Sequence, residues 1–170
     1  MTRAGVLVSN IEDISEVHYT LDGIKKGVRT VSSDVFAGSC LCGAVSYRVR
    51  APFLQFAHCH CQRCRKATGT GHATNLYFER GNFEWLSGED LATRYDLPSA
   101  KSFATTFCRT CGSPLPHHTR SGRTVVVPAG SLDNSPTISP QARIFWQSRA
   151  TWACAEDDIP KFSTYPTWWK

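Results

Sequence analysis

Seven of the eight cysteines in this 170-residue chain fall into three tight groups: Cys40-x-Cys42, Cys59-x-Cys61-x-x-Cys64 and Cys108-x-x-Cys111. Cysteine pairs at such spacings are awkward to bridge to each other and well suited to chelating one ion. A structural tetrahedral zinc takes four protein ligands, whereas a catalytic zinc keeps three and leaves a position for water or substrate. The four-plus-three count therefore predicts two Zn²⁺ per chain, one structural and one catalytic.

Cys40 and Cys42 precede Gly43, and Cys108 and Cys111 precede Gly112, so each pair sits where a strand gives way to a tight turn. The expectation is a closed four-cysteine site that clips two distant hairpins together, the alternative being a disulfide or free thiols. The middle cluster reads His58-Cys59-His60-Cys61-Gln62-Arg63-Cys64-Arg65-Lys66. A loop running into a helical turn brings its three thiolates onto one side, with the fourth position open to water or an incoming thiol. His58 or His60 could instead close that site, although His60 points away from its cysteine neighbours if the segment is extended. Arg63, Arg65 and Lys66 either hold an anionic substrate and lower thiol pKa values, or neutralise a negatively charged three-thiolate complex. Cys154 is too remote in sequence to be assigned as a ligand, and His72, His117 and His118 read as ordinary surface or core histidines, one of which could serve as an acid or base.

The elements that must position these residues are short. Candidate strands run over 44–49, 73–78, 83–86, 93–97, 102–107, 124–127 and 143–146, separated by turn signals such as Ser87-Gly88, Pro98-Ser99 and Ser121-Gly122. Only residues 61–67 read as a helical turn. Residues 1–35 differ: they lack cysteine and tryptophan, and Ile11, Ile14, Val17, Leu21 and Ile24 recur at helical spacing. That predicts an N-terminal extension carrying an amphipathic helix, which packs on its own domain or a partner subunit, ahead of a zinc-binding β domain over 36–170. The stretch 159–170 reads as an irregular tail.

A hydrophobic content of 41% in 170 residues suffices for one domain with a real core. The cysteine density is below that of a disulfide scaffold, the N-terminus lacks the apolar core of a secretory signal, and no run approaches a membrane span. A reducing, cytoplasmic setting without a membrane is expected. The formal charge of +5 counts cysteines as neutral, and seven thiolates with two Zn²⁺ bring it to about +2. That small excess and the absence of a polybasic tract argue against nucleic acid as a partner.

The segments Gly38-Ser39-Cys40-Leu41-Cys42-Gly43-Ala44-Val45-Ser46-Tyr47, 59–66, 107–113 and Ala129-Gly130-Ser131-Leu132-Asp133, with Trp152, resemble the glutathione-dependent formaldehyde-activating enzyme family, which also embraces centromere protein V. The resemblance covers residues 36–162. It implies a twisted β fold shared with zinc-binding Rab exchange factors, with Cys40, Cys42, Cys108 and Cys111 as structural ligands. It implies catalytic zinc at Cys59, Cys61 and Cys64, and carbon-sulfur lyase chemistry joining glutathione and formaldehyde in S-(hydroxymethyl)glutathione. On that reading Arg63, Arg65 or Lys66 hold glutathione carboxylates. Phe83 or Trp85 are candidates for lining the pocket, against the ordinary reading of a strand aromatic as core. Two other functions compete: a non-catalytic thiol-binding zinc protein, and a structural zinc module that mediates interactions.

Overall fold

The computed structural model describes residues 34–154 and 162–166, with only the backbone of Cys154. The expected N-terminal helix and most of the closing tail lie outside the described residues. What is described is mostly β: eleven short strands in three sheets, one α-helix and several 3₁₀ turns.

Sheet one holds β1 (Val35–Ser39), β2 (Ser46–Arg50) and β5 (Phe83–Ser87), in the antiparallel order β1-β2-β5. Strand β2 alternates cleanly: Tyr47 and Val49 are buried, while Ser46, Arg48 and Arg50 face outward. Sheet two is the largest, ordered β11-β3-β4-β10-β9. Its strands are β3 (Phe53–Cys59), β4 (Ala73–Glu79), β9 (His117–His118), β10 (Thr124–Pro128) and β11 (Ala142–Ile144). All its pairings are antiparallel except β11 with β3. Sheet three contains β6 (Ala92–Asp96), β7 (Ala104–Cys108) and β8 (Pro114–Leu115).

The period-two alternation of a strand divides sheet two into two working faces. Phe56, Leu76, Phe78, Val125 and Val127 enter the core, where Tyr47 and Val49 of sheet one meet them. The intervening residues, Asn75, Tyr77 and Glu79 of β4 and Thr124 and Val126 of β10, face a cleft. Strand β10 therefore reads Thr-Val-Val-Val-Pro with no polar alternation, because both of its faces are covered. Phe83 and Trp85 pack against Tyr47, with ring centroids 5.9 and 6.2 Å away, so both take the core role rather than a place in the cleft.

The segment 129–133 is a latch between the first two sheets. The Tyr47 and Ser131 hydroxyls lie 2.7 Å apart, and Ser39 donates to Asp133 Oδ1 at 2.6 Å. The Asp133 amide donates to the Ala37 carbonyl at 3.0 Å.

All seven predicted strands are present, with ends shifted by a few residues. The expected strand 143–146 is β11 at 142–144, because Phe145 turns out of it with φ +54. The sequence reading missed β1, β3, β8 and β9. In β1 the run Val-Phe-Ala-Gly-Ser ends in residues with weak strand preference, and β3 carries a register shift at Phe53/Gln55 that breaks its alternation. Strands β8 and β9 span two residues each.

Candidate functional site

The first cysteine cluster joins sheets one and three. Cys40 and Cys42 lie between β1 and β2, Cys108 ends β7 and Cys111 lies between β7 and β8, and all four sulfurs fall within 4.8 Å of one another. Each turn closes on its glycine: the Gly43 amide donates to the Cys40 carbonyl and the Gly112 amide to the Cys108 carbonyl, at 2.9 and 2.8 Å. Both glycines sit at φ +74, where a side chain would be strained. The turns are tied together by the Leu41 amide, which donates to Ser113 Oγ at 3.1 Å. Beneath them Val45 and Leu115 are fully buried with Cys40 and Cys108.

The sulfurs themselves test whether zinc fits. Four Zn–S bonds of about 2.3 Å in a tetrahedron place the sulfurs about 3.8 Å apart. Cys40 to Cys42 is 3.4 Å and Cys42 to Cys108 is 4.0 Å, so the cluster is zinc-sized and far from disulfide contact. The Ser113 hydroxyl, 3.3 Å from Cys111 Sγ, leads the effects that lower the Cys111 thiol to about 5.

The second cluster is built at the end of β3. Cys59 is the last residue of that strand, and Cys61 caps helix α1 (Gln62–Thr68), its sulfur accepting from the Cys64 amide at 3.4 Å. One turn on, Cys64 returns its side chain to the same side, and the three sulfurs lie within 4.8 Å of one another. The thiols share protons. Hydrogen bonding, first from Cys59 and then from Cys64, draws Cys61 down to about 2, while bonding to Cys61 leads the shift of Cys59 up to about 11. Cys64 is raised as well, through Cys59 first. A cation taken up by all three sulfurs would displace the thiol protons that they share.

Neither neighbouring histidine joins this cluster among the described residues. His58 shares the sheet face of Phe56, opposite Cys59; its Nδ1 lies 2.9 Å from Thr74 Oγ1 and its ring 4.1 Å from that of His72. His60 is buried edge-on to Trp146 at 5.0 Å, and the Arg143 and Arg149 guanidiniums lie over the same indole. The left-handed turn at Phe145 separates these surfaces, since Phe145 lines the cleft and Trp146 packs on His60.

The cysteine trio forms one wall of a cleft of about 720 Å³, within the usual range for small-molecule sites. Its floor is the second face of sheet two. Its other walls are Ser102–Ala104, the 119–123 turn and Ile144–Phe145. Of the three cationic residues singled out from sequence, Arg63 lines the cleft, with its guanidinium 5.8 Å from the centre of the Phe103 ring. Arg65 and Lys66 lie on the same helix outside the lining.

The sequence reading did not pick out Tyr77, Arg80, Arg120 or Arg123, which also line the cleft, and it set His117, another lining residue, among ordinary histidines. Lone residues of these types carry no spacing signal; only the pairing of β4, β9 and β10 assembles them. Tyr77 is mostly buried, and burial followed by the field of the Cys59 thiol raises its phenol. Burial, reinforced by Arg94, holds His117 down to about 4.

The fold and site define a small β protein with two metal-capable cysteine clusters, one clamping sheets and one opening on a cleft. The chain belongs to the glutathione-dependent formaldehyde-activating enzyme family, whose model matches residues 35–148. A crystal structure of a Rhodobacter sphaeroides protein has a similar fold, with a TM-score of 0.51 at 24% identity, covering 63% of this chain and 98% of that one. Comparison with curated proteins finds no match.

Proposed function

We propose that this chain is a carbon-sulfur lyase-like enzyme acting on thiol-aldehyde adducts, with S-(hydroxymethyl)glutathione formation from glutathione and formaldehyde as the reaction to test. One observation carries this reading: the Cys59, Cys61 and Cys64 sulfurs converge at the wall of a ligand-sized cleft, and no fourth described side chain completes their set. Cys59, Cys61 and Cys64 would hold the zinc, which would supply a Lewis acid for a thiol sulfur or a carbonyl oxygen.

The remaining requirements fall to the chain's own residues. The reaction forms one bond between the thiol sulfur and the aldehyde carbon, and moves the thiol proton to the carbonyl oxygen. Arg63 beside the trio favours the thiolate over the thiol and attracts an anionic substrate. Tyr77, kept as a neutral phenol, offers a proton donor on the floor of the cleft. Arg65 and Lys66, outside the lining, act through the field they add to a thiolate-rich site.

The four-cysteine cluster takes the structural ion in this proposal, in a fold of the type found in zinc-binding Rab exchange factors. The reduced cysteines suit a cytoplasmic setting, and no helix among the described residues is long and apolar enough to cross a membrane.

Magnetisation-exchange NMR on glutathione and formaldehyde with zinc-loaded protein tests the reading against the uncatalysed background. Exchange should accelerate, and Cys61→Ser should remove the acceleration while the fold persists. Glutathione affinity without acceleration would make the protein a thiol binder; neither binding nor acceleration would sink both readings.

A further inference from the structure

The cleft extends well beyond the cysteine trio, and its far end is basic. Cys59 pairs with Ala73 at the start of β4, and Thr124 pairs with Glu79 at its end. Six residues of strand separate the two rows, about 20 Å at 3.3 Å per residue. Arg80 follows Glu79, and its amide donates to the Arg123 carbonyl at 3.1 Å, so both arginines stand at this end. The Arg80 guanidinium lies over the 119–123 turn, its Nη1 3.7 Å from where a Cβ on Gly122 would stand.

Among the described residues no carboxylate pairs with either arginine, although Glu79 lines the same end. Arg120 is committed elsewhere, donating to the Ala100 carbonyl at 2.5 Å with Nε 4.0 Å from Asp96. The same end carries hydroxyls: Thr119 Oγ1 lies 3.1 Å from both Ser121 Oγ and Thr124 Oγ1.

The geometry points to an anion subsite formed by Arg80, Arg123 and the hydroxyls of the 119–124 turn, which selects an elongated thiol ending in a phosphate. Glutathione carries its sulfur in the middle, and each arm, the γ-linked glutamate included, is a single residue long, well under the ~20 Å between the rows. With its sulfur at the trio, such a thiol does not reach the far row. Two guanidiniums without a carboxylate partner among the described residues, one of them also within the field of His118, suit the oxygens of a phosphate, with the turn hydroxyls beside them, better than a single planar carboxylate. The ligand class is a long flexible thiol of the phosphopantetheine kind, with its reactive sulfur at one end and its charge at the other. This rests on the trio being the thiol-binding end of the cleft.

Calorimetry on the zinc-loaded full chain with reduced 4′-phosphopantetheine, pantetheine and glutathione tests it. Phosphopantetheine should bind about tenfold or more tighter than pantetheine, the yield of one or two charged hydrogen bonds. An Arg80→Gln/Arg123→Gln double variant should erase that difference and leave glutathione affinity unchanged. Equal binding of the two pantetheines, or no binding of either, overturns the subsite. So does an equal loss of glutathione affinity in the double variant, because the arginines would then serve the shorter thiol. The glutathione-formaldehyde exchange rate of the same variant reads the chemistry separately: unchanged turnover with lost phosphate selectivity supports the subsite, and turnover absent from wild type defeats the lyase reading alone.

Discussion

His117 shows how residue type acquires meaning from its surroundings. On β9 it faces the cleft, its Nδ1 buried without a hydrogen-bond partner among the described residues, next to His118 and within the field of Arg94 and Asp96 of β6. Burial comes first and Arg94 second in holding its pKa at about 4, while Asp96 pulls the other way. The unfolded chain protonates it near 6.5, so the unfolded state binds the extra proton first as pH falls. Stability from this residue is full above about pH 6.5, declines between 6.5 and 4, and is lost below, by about 3 kcal/mol in total. His117→Gln should flatten that part of the profile relative to wild type in urea titrations at pH 7.5 and 5. Parallel profiles for the two proteins would mean that His117 is not held neutral.

At the scale of the element, β4 carries both the core and the cleft. Phe78 is fully buried beside Leu76, and Tyr77 on the opposite face lines the cleft. Phe78→Ala should cost about 3–5 kcal/mol, the transfer energy of the ring plus the cavity it leaves. Tyr77→Phe, one residue away, should cost about 1 kcal/mol or less, since it removes one hydroxyl and little volume. Urea denaturation compares them, and similar losses would contradict the division of faces. The apolar content of β4 and β10 was legible as strand from sequence. Their pairing was not, because Thr124 meets Glu79 from 45 positions further along the chain and nothing local encodes that register. Strands β1 and β3 were missed for a related reason: their register is held by partners rather than by their own alternation.

For the whole molecule, the two cysteine clusters have unequal structural burdens. The four-cysteine cluster joins turns 66 residues apart and clamps sheet one to sheet three, whereas the trio spans six residues at the end of one strand. Long-range closure removes far more freedom from the unfolded chain than short-range closure. Cys40→Ser should therefore lose one metal equivalent and several kcal/mol, a Tm drop on the order of 10 °C or more. Cys61→Ser should lose the other equivalent with a much smaller drop. Elemental analysis with calorimetry decides it, and equal Tm losses would refute the division of labour.

The cysteine spacings by themselves set out three chelating groups and the expectation of four sulfurs at one site and three at the other, because a chelating pair is a local feature of the chain. The tertiary structure alone decided that Cys40 and Cys42 meet Cys108 and Cys111, that His58 and His60 turn away from the trio, and that Arg63 faces the cleft while Arg65 and Lys66 do not. It also brought Arg80 and Arg123 to the end of the cleft remote from the sulfurs. The difference is physical: a ligand pair is set by a few covalent bonds, whereas a cleft wall is set by strand register, and register is fixed only when the opposite face of the sheet is buried.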